Sequence, residues 1–360
     1  MKILITGICG FAGSTLAFSL RETIEGATVF GLDNLSRPGS HEHLIRLRAA
    51  GIDVLHGDVR CSSDLENLPT VNWVIDASAN PSVLAGITSG TTSRQVVEHN
   101  LLGTVNLLEY CRRSNSGFIL LSTSRVYSAT DVAALPFKVE NHAFWLQVEK
   151  VVFKGVGENG IDETFPTMPP ISLYGATKLA SEIIALEYGA SYGFPVWINR
   201  CGVLAGAGQF GRFDQGIFAF WIHSWKQRLP LSYIGFGGEG HQVRDCLHPR
   251  DLAPVFVQQM AADHSGHRHR IFNLSGGNRS AHSLRALSDW CAARFGNHDV
   301  SSQPEGRPND VPWMILDSTR ATQTWSWQPM TPADSIFEEI AAQAEDRPDW
   351  LELSGADAYR

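Results

Sequence analysis

The first 33 residues carry the pattern that most restricts how this chain can fold. In chain order the pattern consists of an apolar run at residues 2–6, the glycines Gly7, Gly10 and Gly13, a helical stretch at 14–24, a second apolar run at 28–32, and Asp33. Glycines at such a turn let the backbone approach a pyrophosphate at a helix N-terminus, and an acid about 20 residues later suits a ribose hydroxyl. The spacing is G-x-x-G-x-x-G rather than G-x-G-x-x-G. With strand, helix and acid in this order, it predicts a dinucleotide-binding βαβ unit.

The alternation of strand and helix patterns continues along the chain. Further strands are predicted at 53–56, 72–75, 118–121, 195–199 and 271–274, and long helices at 92–113 and from Tyr174 to about residue 192. This order favours an α/β fold with a doubly wound parallel sheet, whose ligands bind at the carboxyl ends of the strands. Polar clusters follow three of these strands, at 57–59, 76–81 and 122–124. We therefore expect one binding crevice along that edge.

The chain length of 360 residues predicts two domains, because one core seldom extends so far. We assign residues 1–200 to the first domain and 201–360 mainly to a smaller second one, with a strand near 271–275 returning to the sheet. Residues 129–171 form a long connection that leads into the helix at Tyr174. A connection this long is typically functional or mobile, so a lid, a dimer contact and a surface excursion all stay open.

Charge and cysteine usage exclude several kinds of partner. The formal net charge of −8 and pI of about 5.9 argue against a nucleic-acid face or a polybasic membrane patch. No run is long and apolar enough to span a membrane, and glycines interrupt the uncharged stretch that mimics a signal peptide before Arg21. The six cysteines include no C-x-x-C pair. We therefore expect a soluble, unprocessed cytoplasmic protein without a structural metal.

Tyr174 and Lys178 are the strongest candidates for chemistry. Four residues apart on a helix, they lie on one face, one turn from each other. A free phenol has a pKa near 10, and a neighbouring ammonium favours the phenolate, which suits acid–base work. The spacing therefore predicts a Tyr–Lys pair, with a half-buried Tyr and an exposed Lys on an ordinary helix as the alternative.

Taken together, the motifs resemble the extended short-chain dehydrogenase/reductases, the nucleotide-sugar epimerases and dehydratases. The residues that carry the resemblance are Thr6, Gly7, Gly10, Gly13, Asp33-Asn34, Gly57-Asp58-Val59, Ser122-Thr123, Tyr174, Lys178 and Arg200. The resemblance implies a Rossmann domain that holds NAD and a smaller C-terminal domain that holds a nucleotide-diphosphate sugar. It also implies a homodimer or higher homo-oligomer.

The resemblance also assigns roles to individual residues. It implies catalysis by Thr123, Tyr174 and Lys178, and substrate binding by Gln215, Arg244 and Arg307. For the cofactor it implies Gly7, Gly10, Phe11, Gly13, Asp33, Asn34, Arg37, Asp58, Val59, Ala77, Ser78, Ala79, Asn100, Ser122, Cys201 and Leu204. Bidentate contacts between Arg and phosphate suit Arg244 and Arg307 to a diphosphate. Asp33 favours NAD over NADP, although Arg37 nearby could accept a 2′-phosphate.

Within this family the chain is most similar to the CDP-tyvelose (CDP-paratose) 2-epimerases. The similar segments are 122–127, Gln209-Phe210, 213–216 and 241–245. The chain departs from the family pattern at 76–79, Ser128, Cys201, Ala205 and the long connection 129–171. These departures bear on the substrate more than on the chemistry.

The resemblance implies a redox-neutral epimerisation, in which Tyr174 removes a hydroxyl proton, a keto sugar forms, and hydride returns to its other face. The expected reaction is at C2 of a CDP-hexose. The alternatives are a UDP-sugar 4-epimerase, a 4,6-dehydratase or reductase, and a non-catalytic NAD-binding regulatory protein. Ser124-Arg125 stands where dehydratases carry Asp-Glu, which disfavours that branch.

Overall fold

The computed structural model describes residues 1–87, 92–212 and 215–355, so Phe213 and Asp214 lie outside the described residues. The strands in these ranges are β1 (Lys2–Thr6), β2 (Thr28–Asp33), β3 (Asp53–His56), β4 (Trp73–Asp76), β5 (Gly117–Thr123), β6 (Phe137–Glu140), β7 (Ala143–Leu146), β8 (Val156–Gly157), β9 (Gly160–Ile161), β10 (Val196–Cys201), β11 (Val203–Leu204), β12 (Leu231–Ile234), β13 (Val243–Leu247), β14 (Ile271–Leu274), β15 (Ala281–Ser283), β16 (Val300–Gln303) and β17 (Trp313–Met314). The helices are α1 (Phe11–Thr23), α2 (Ser40–Ala49), α3 (Ser62–Glu66), α4 (Ser93–Val97), α5 (Gly103–Ser114), α6 (Ala129–Ala133), α7 (Ser172–Tyr192), α8 (Ile217–Lys226), α9 (Leu252–Ala261), α10 (Leu284–Phe295), α11 (Thr319–Trp325), α12 (Ala333–Asp346) and α13 (Trp350–Leu353).

The central sheet is parallel throughout and confirms the predicted Rossmann-type fold. Its seven strands lie in the order β14-β10-β5-β4-β1-β2-β3. The order reverses between β1 and β4, which makes this the topological switch point where ligands bind. Helices cover both faces, and two separate apolar clusters fill the spaces between sheet and helices. The crevice at the switch point is therefore held by a rigid, buried framework.

The glycine turn is tighter than the sequence predicts, because α1 begins at Phe11 rather than at residue 14. Gly10 is its N-cap, and Gly13 lies in its first turn. Gly7 has φ +65°, and a Cβ there would lie 2.8 Å from the Cα of Ser78. A Cβ on Gly13 would lie 2.3 Å from the carbonyl oxygen of Gly7. Larger residues would force the turn apart, so this close packing needs glycine at both positions.

The predicted helix at 92–113 is interrupted. Between α4 and α5, residues Glu98–Leu102 form a π-helical turn. Such turns occur mostly at functional sites, because the extra residue redirects one side chain. Here the turn carries Asn100, which is 1% exposed and points away from solvent.

The long connection at 129–171 packs into the protein rather than standing apart from it. It forms α6, the hairpin β6–β7 and the hairpin β8–β9. Its residues Leu135, Ile161 and Phe165 share a buried apolar cluster with Val243 and Trp313 of β13 and β17. The connection therefore joins the first half of the chain to the second through a common core.

Beyond β10, the chain forms small sheets and a helical cluster. Strands β11, β13, β15 and β17 make one sheet, β12 pairs with β16, and β14 returns to the edge of the central sheet. Helices α8, α10 and α12 enclose a further apolar cluster. We propose that residues 201–360 constitute mainly a smaller domain. Four helices follow Ser280 among the described residues, of which α11 and α13 are short.

Two further features concern the chain as a whole. All six cysteines are free thiols. Among the described residues, no helix combines the length and apolar character that crossing a bilayer requires.

Candidate active site

A cavity of about 370 Å³ lies along the carboxyl ends of the strands at the switch point. It is lined by most of the residues that the sequence assigns to cofactor and catalysis and by Gln215, which is assigned to the substrate: Gly7, Gly10, Phe11, Gly13, Asp33, Asn34, Arg37, Val59, Ala77, Ser78, Ala79, Ser122, Thr123, Tyr174, Lys178, Cys201, Leu204 and Gln215. The structure thus brings together segments that are far apart in the chain. The N-terminus of α1 faces the cavity, and unpaired amide groups there suit a pyrophosphate. Together with the tight glycine turn, this arrangement fits a dinucleotide.

Asp33 ends β2 at one end of the cavity. Its carboxylate accepts hydrogen bonds from the backbone N–H groups of Cys9, at 2.9 Å, and Leu35, at 2.8 Å. Burial raises the pKa of this carboxyl, and the two amide donors partly oppose that rise. The guanidinium of Arg37 lies 5.4 Å from the centre of the Phe210 ring. Asp33 is therefore held in place by the glycine turn itself, while Arg37 is stacked on a different loop.

Two of the assigned cofactor residues do not line the cavity. Asp58 forms an ion pair with Arg60 at 2.6 Å and accepts a hydrogen bond from Asn34, so the pKa of its carboxyl is lowered. Asn100 is bonded to the backbone of Asn80 and to the hydroxyl of Thr177. Their side chains are satisfied within the protein. They position the loops around the cavity rather than form its wall.

Thr123, Tyr174 and Lys178 meet at the middle of the cavity. Thr123 ends β5, and the other two residues lie on the first turns of α7. Partial burial raises the pKa of Tyr174 to about 12, and hydrogen bonding by Thr123 lowers it in part. Burial likewise lowers the pKa of the Lys178 ammonium, an effect that the carboxylates of Asp76 and Glu182 oppose.

Arg125 also contributes positive charge near Tyr174. The Tyr–Lys spacing predicts that Lys178 favours the phenolate. In the structure the hydrogen bond from Thr123 lowers the pKa of Tyr174 most, and the charge of Arg125 lowers it to a smaller extent. Lys178 is 2% exposed, and the negative charges of Asp76 and Glu182 favour its charged form. The sequence identified Arg125 as part of a segment similar to the 2-epimerases and as a departure from the dehydratases, but not as a charge near Tyr174, because its position depends on how a short turn packs against α7.

A buried ion pair holds the base of the site rigid. Arg200 donates to Glu182 at 2.7 Å, and their side chains are 5% and 1% exposed. Glu182 also accepts a hydrogen bond from Ser122, and Arg200 donates to the hydroxyl of Tyr127 at 3.3 Å. Breaking such a pair from one side leaves an uncompensated buried charge. This network therefore fixes β5, β10 and α7 relative to one another.

The departure at residue 76 has a structural explanation. Asp76 is 1% exposed and accepts hydrogen bonds from the hydroxyls of Thr6, Ser78 and Thr104 at 2.9, 2.6 and 2.9 Å. The three hydroxyl donors satisfy the hydrogen-bonding needs of this buried carboxylate. The loop that follows β4 is thereby fixed against β1 and α5.

A second cavity of about 300 Å³ adjoins the first. It is lined by Arg244 and Arg307, and on its apolar side by Phe218, Phe220 and Trp221 of α8. Arg244 is paired with Asp310 at 2.8 Å, and burial lowers the pKa of its guanidinium to about 10. Aromatic side chains and two guanidinium groups in one cavity have the chemistry of a site for a base and a diphosphate.

The two cavities share five lining residues, which mark the place where they meet: Val83, Arg125, Val203, Gln215 and Gly216. Thr123, Tyr174 and Lys178 line only the first cavity, and Arg244 and Arg307 line only the second. A substrate with its diphosphate in the second cavity would therefore extend its far end toward Tyr174.

Comparison with known proteins agrees with this geometry. CDP-paratose 2-epimerase from Salmonella typhi is 32% identical over 353 residues, which cover 92% of this chain and 96% of that enzyme. UDP-glucose 4-epimerase from Corynebacterium glutamicum is 24% identical over 349 residues, 91% of each chain. The solved structure of UDP-glucuronic acid 4-epimerase from Bacillus cereus, in complex with UDP-glucuronic acid and NAD, matches with a TM-score of 0.75 at 21% identity and covers 96% of this chain and 99% of its own. The model of one family matches residues 3–275, and the chain therefore belongs to the NAD dependent epimerase/dehydratase family.

Proposed function

We propose that this enzyme inverts C2 of a CDP-linked hexose, interconverting CDP-paratose and CDP-tyvelose. As a member of its family it is an NAD-dependent enzyme that acts on nucleotide sugars. The support for the finer assignment is the 32% identity to CDP-paratose 2-epimerase over nearly the full length of both chains. The arrangement of the two cavities adds physical support.

The observation that carries the proposal is the direct junction between the two cavities. Gln215 and Arg125 line both, so the cavity with the guanidinium groups adjoins the cavity with Tyr174. C2 is bonded to the anomeric carbon, which carries the diphosphate. A reaction at C2 therefore needs a diphosphate site close to the catalytic base, and C4 lies farther away across the ring. A direct junction between the two cavities fits a reaction at C2.

The residues of the chain then take the following roles in the proposal. Arg244 and Arg307 hold the diphosphate, and Gln215 donates or accepts a hydrogen bond at the sugar. Thr123 orients the reacting hydroxyl, and Tyr174 removes its proton and later returns it. Bound NAD supplies reversible hydride acceptance at the reacting carbon, and its positive nicotinamide charge favours the phenolate form of Tyr174.

The cofactor site would be formed by the glycine turn and its surroundings. Gly7, Gly10 and Gly13 would hold the pyrophosphate, and Asp33 the adenosine ribose. Lys178 and Cys201 would lie at the nicotinamide end. All six line one cavity. Since the net reaction is redox-neutral, the cofactor can stay bound between turnovers. Free cysteines throughout the chain fit a reducing compartment, so we place the enzyme in the cytoplasm.

The experiment is a substrate panel followed by proton NMR. Purified protein is mixed separately with CDP-paratose, CDP-tyvelose, UDP-glucose and UDP-galactose, and Tyr174→Phe serves as the matched control. We expect interconversion of the two CDP-sugars by the parent and a strongly reduced rate with the variant. Substrate deuterated at C2 should keep its label in the product, because hydride leaves and returns to the same carbon.

Three outcomes would contradict the proposal in different ways. Loss of the C2 label to solvent would indicate deprotonation at carbon instead of hydride transfer. Faster interconversion of the two UDP-hexoses would assign the enzyme as a UDP-sugar 4-epimerase. Release of a stable keto product would indicate a dehydratase.

A further inference from the structure

Arg125 lies where the cofactor cavity and the nucleotide cavity meet. It belongs to a single helical turn, Ser124–Val126, directly after β5. Its side chain is half-buried and lines both cavities. A cation at a junction between two ligands is in a position to act on both.

The backbone of Arg125 is held firmly beside Tyr174. Its N–H donates to the hydroxyl of Thr123 at 3.2 Å. Its carbonyl oxygen packs against Gly175, the residue after Tyr174, where a Cβ would lie only 2.2 Å away. The turn that carries Arg125 and the first turn of α7 are thus in direct backbone contact. Arg125 and Tyr174 therefore keep a fixed relative position.

The guanidinium of Arg125 reaches toward the nucleotide side. It donates to the carbonyl of Asn309 at 3.4 Å, a long bond that holds it only loosely. Its charge also lowers the pKa of Arg244, which lines the second cavity. Arg244 itself is bound to Asp310 and to the carbonyls of Val243 and Val311 at 2.7 to 2.8 Å. Arg125 is therefore the less constrained of the two cations at the diphosphate end.

We propose that Arg125 is a further catalytic residue, which contacts the sugar diphosphate near the anomeric carbon and holds a positive charge between the diphosphate and the hydroxyl of Tyr174. This inference rests on the proposed function, because it assigns the substrate a diphosphate close to the reacting carbon. The chemical class of the ligand is a nucleoside diphosphate sugar that reacts next to its anomeric centre.

The physical reason is electrostatic. A diphosphate near Tyr174 disfavours the phenolate and so raises the pKa of the catalytic base. A guanidinium between the two groups opposes that effect and remains charged at every working pH. Arg125 already lowers the pKa of Tyr174 without any ligand. A reaction at C4 would keep the diphosphate farther from the base and would need this charge less.

Any test must distinguish the effect of Arg125 on Tyr174 from the effects of the other groups around Tyr174. Thr123 and the thiol of Cys201 face it from β5 and β10, and Lys178 lies one turn along α7. His99, on the π-helical turn, also lines the cavity. All four are present in every Arg125 variant, so a difference between variants isolates the guanidinium.

The experiment compares Arg125→Met and Arg125→Lys, with Arg307→Met as the control for diphosphate binding alone. For the sugar that the parent turns over, we expect Arg125→Met to move the acid limb of kcat against pH upward by about one unit. Arg125→Lys keeps the charge and should restore the limb. Arg307→Met should raise KM without moving it.

A second readout needs no turnover. In the NAD-bound protein, the tyrosinate absorbance of each form minus that of its Tyr174→Phe counterpart isolates this residue among the seven tyrosines. Adding CDP should raise the pKa of Tyr174 by more in Arg125→Met than in the parent. Replacing CDP with UDP tests whether the response depends on the nucleotide base. The same pH limb and the same CDP response in Arg125→Met and the parent would overturn the inference. A shifted limb on a UDP-sugar would uphold the role of Arg125 and overturn only the proposed substrate.

Discussion

The buried carboxylate of Asp245 makes the stability of this protein depend on pH in an unusual direction. Asp245 lies on β13 and is 0% exposed, with hydrogen bonds from the hydroxyl of Ser275 and, at 2.9 Å, from the backbone N–H of Leu316. These donors only partly oppose the effect of burial, which raises the pKa from 3.8 to about 6. The folded state therefore binds a proton that the unfolded state has already released.

The sign and size follow from this difference. An acid whose pKa is raised in the folded state destabilises the fold when it is ionised. The contribution of Asp245 to the free energy of unfolding therefore falls as pH rises from about 4 to above 6. A rise of about 2 pKa units corresponds to a loss of about 3 kcal/mol in the free energy of unfolding. Most of this loss is present by about pH 7, and less than about 1 kcal/mol of it is present at about pH 4. Full burial means that solvent screening does not reduce this figure.

The variant Asp245→Asn tests this reasoning. Asn keeps an acceptor oxygen for Ser275 and Leu316 but carries no charge at any pH. The free energy of unfolding is measured by urea titration at a series of pH values for parent and variant. The value for the parent minus that for Asp245→Asn should fall by about 2 to 3 kcal/mol between about pH 4 and pH 7.

An exposed aspartate provides the matched control. Hydrogen bonds from Ser265 lower the pKa of Asp263, so its contribution is present at neutral pH and is lost on acidification. The free energy of unfolding of the parent minus that of Asp263→Asn should therefore rise, not fall, as pH rises. A difference curve for Asp245→Asn that is flat across this range would refute the reasoning, because Asp245 would then ionise as it does in water.

Three further predictions concern the cofactor, the catalytic pair and assembly. Tyr174→Phe should retain the fold and bound NAD while losing about 10²- to 10⁴-fold in kcat, and turnover near the parent rate would contradict its role as the base. Lys178→Ala should reduce turnover and also weaken NAD binding measured by equilibrium dialysis. Mass spectrometry of cofactor released from the purified protein should find NAD rather than NADP, since the carboxylate of Asp33 repels a 2′-phosphate, and mostly NADP would contradict this. Ile183 on α7 is 57% exposed, and Val97 on α4 41%. We therefore expect light scattering to give a homodimer with a two-fold interface that Ile183→Glu disrupts, whereas a monomeric parent at micromolar concentration would exclude it.

Local patterns account for what could be predicted without the structure. The glycine turn, the alternation of apolar runs with helices and the spacing of Tyr174 and Lys178 are each set within a few residues. The parallel sheet then brings the carboxyl ends of its strands to one edge whatever the details of packing. That is why almost all the assigned residues line one cavity.

The sequence does not predict which partner a polar side chain takes where several are within reach. Asp58 and Asn100 follow the family pattern in sequence, but in the structure Arg60, Asn80 and Thr177 satisfy them away from the cavity. A sequence gives the position of a polar residue along an element. It does not give which of several nearby groups completes its hydrogen bonds.

By itself the sequence determined the alternation of strands and helices, the glycine turn and the presence of Tyr174 and Lys178 on one helix face, because these depend on local geometry. Only the tertiary structure decided the order of the strands in the sheet and placed the charge of Arg125 near Tyr174. Arg125 lies near Tyr174 because its backbone contacts Gly175, which is 50 positions away in the chain. The carboxylate of Asp76, also remote in the chain, and that of Glu182 favour the charged form of Lys178. Electrostatic effects depend on distance and burial in three dimensions, so residues remote in the chain set the ionisation of the catalytic group.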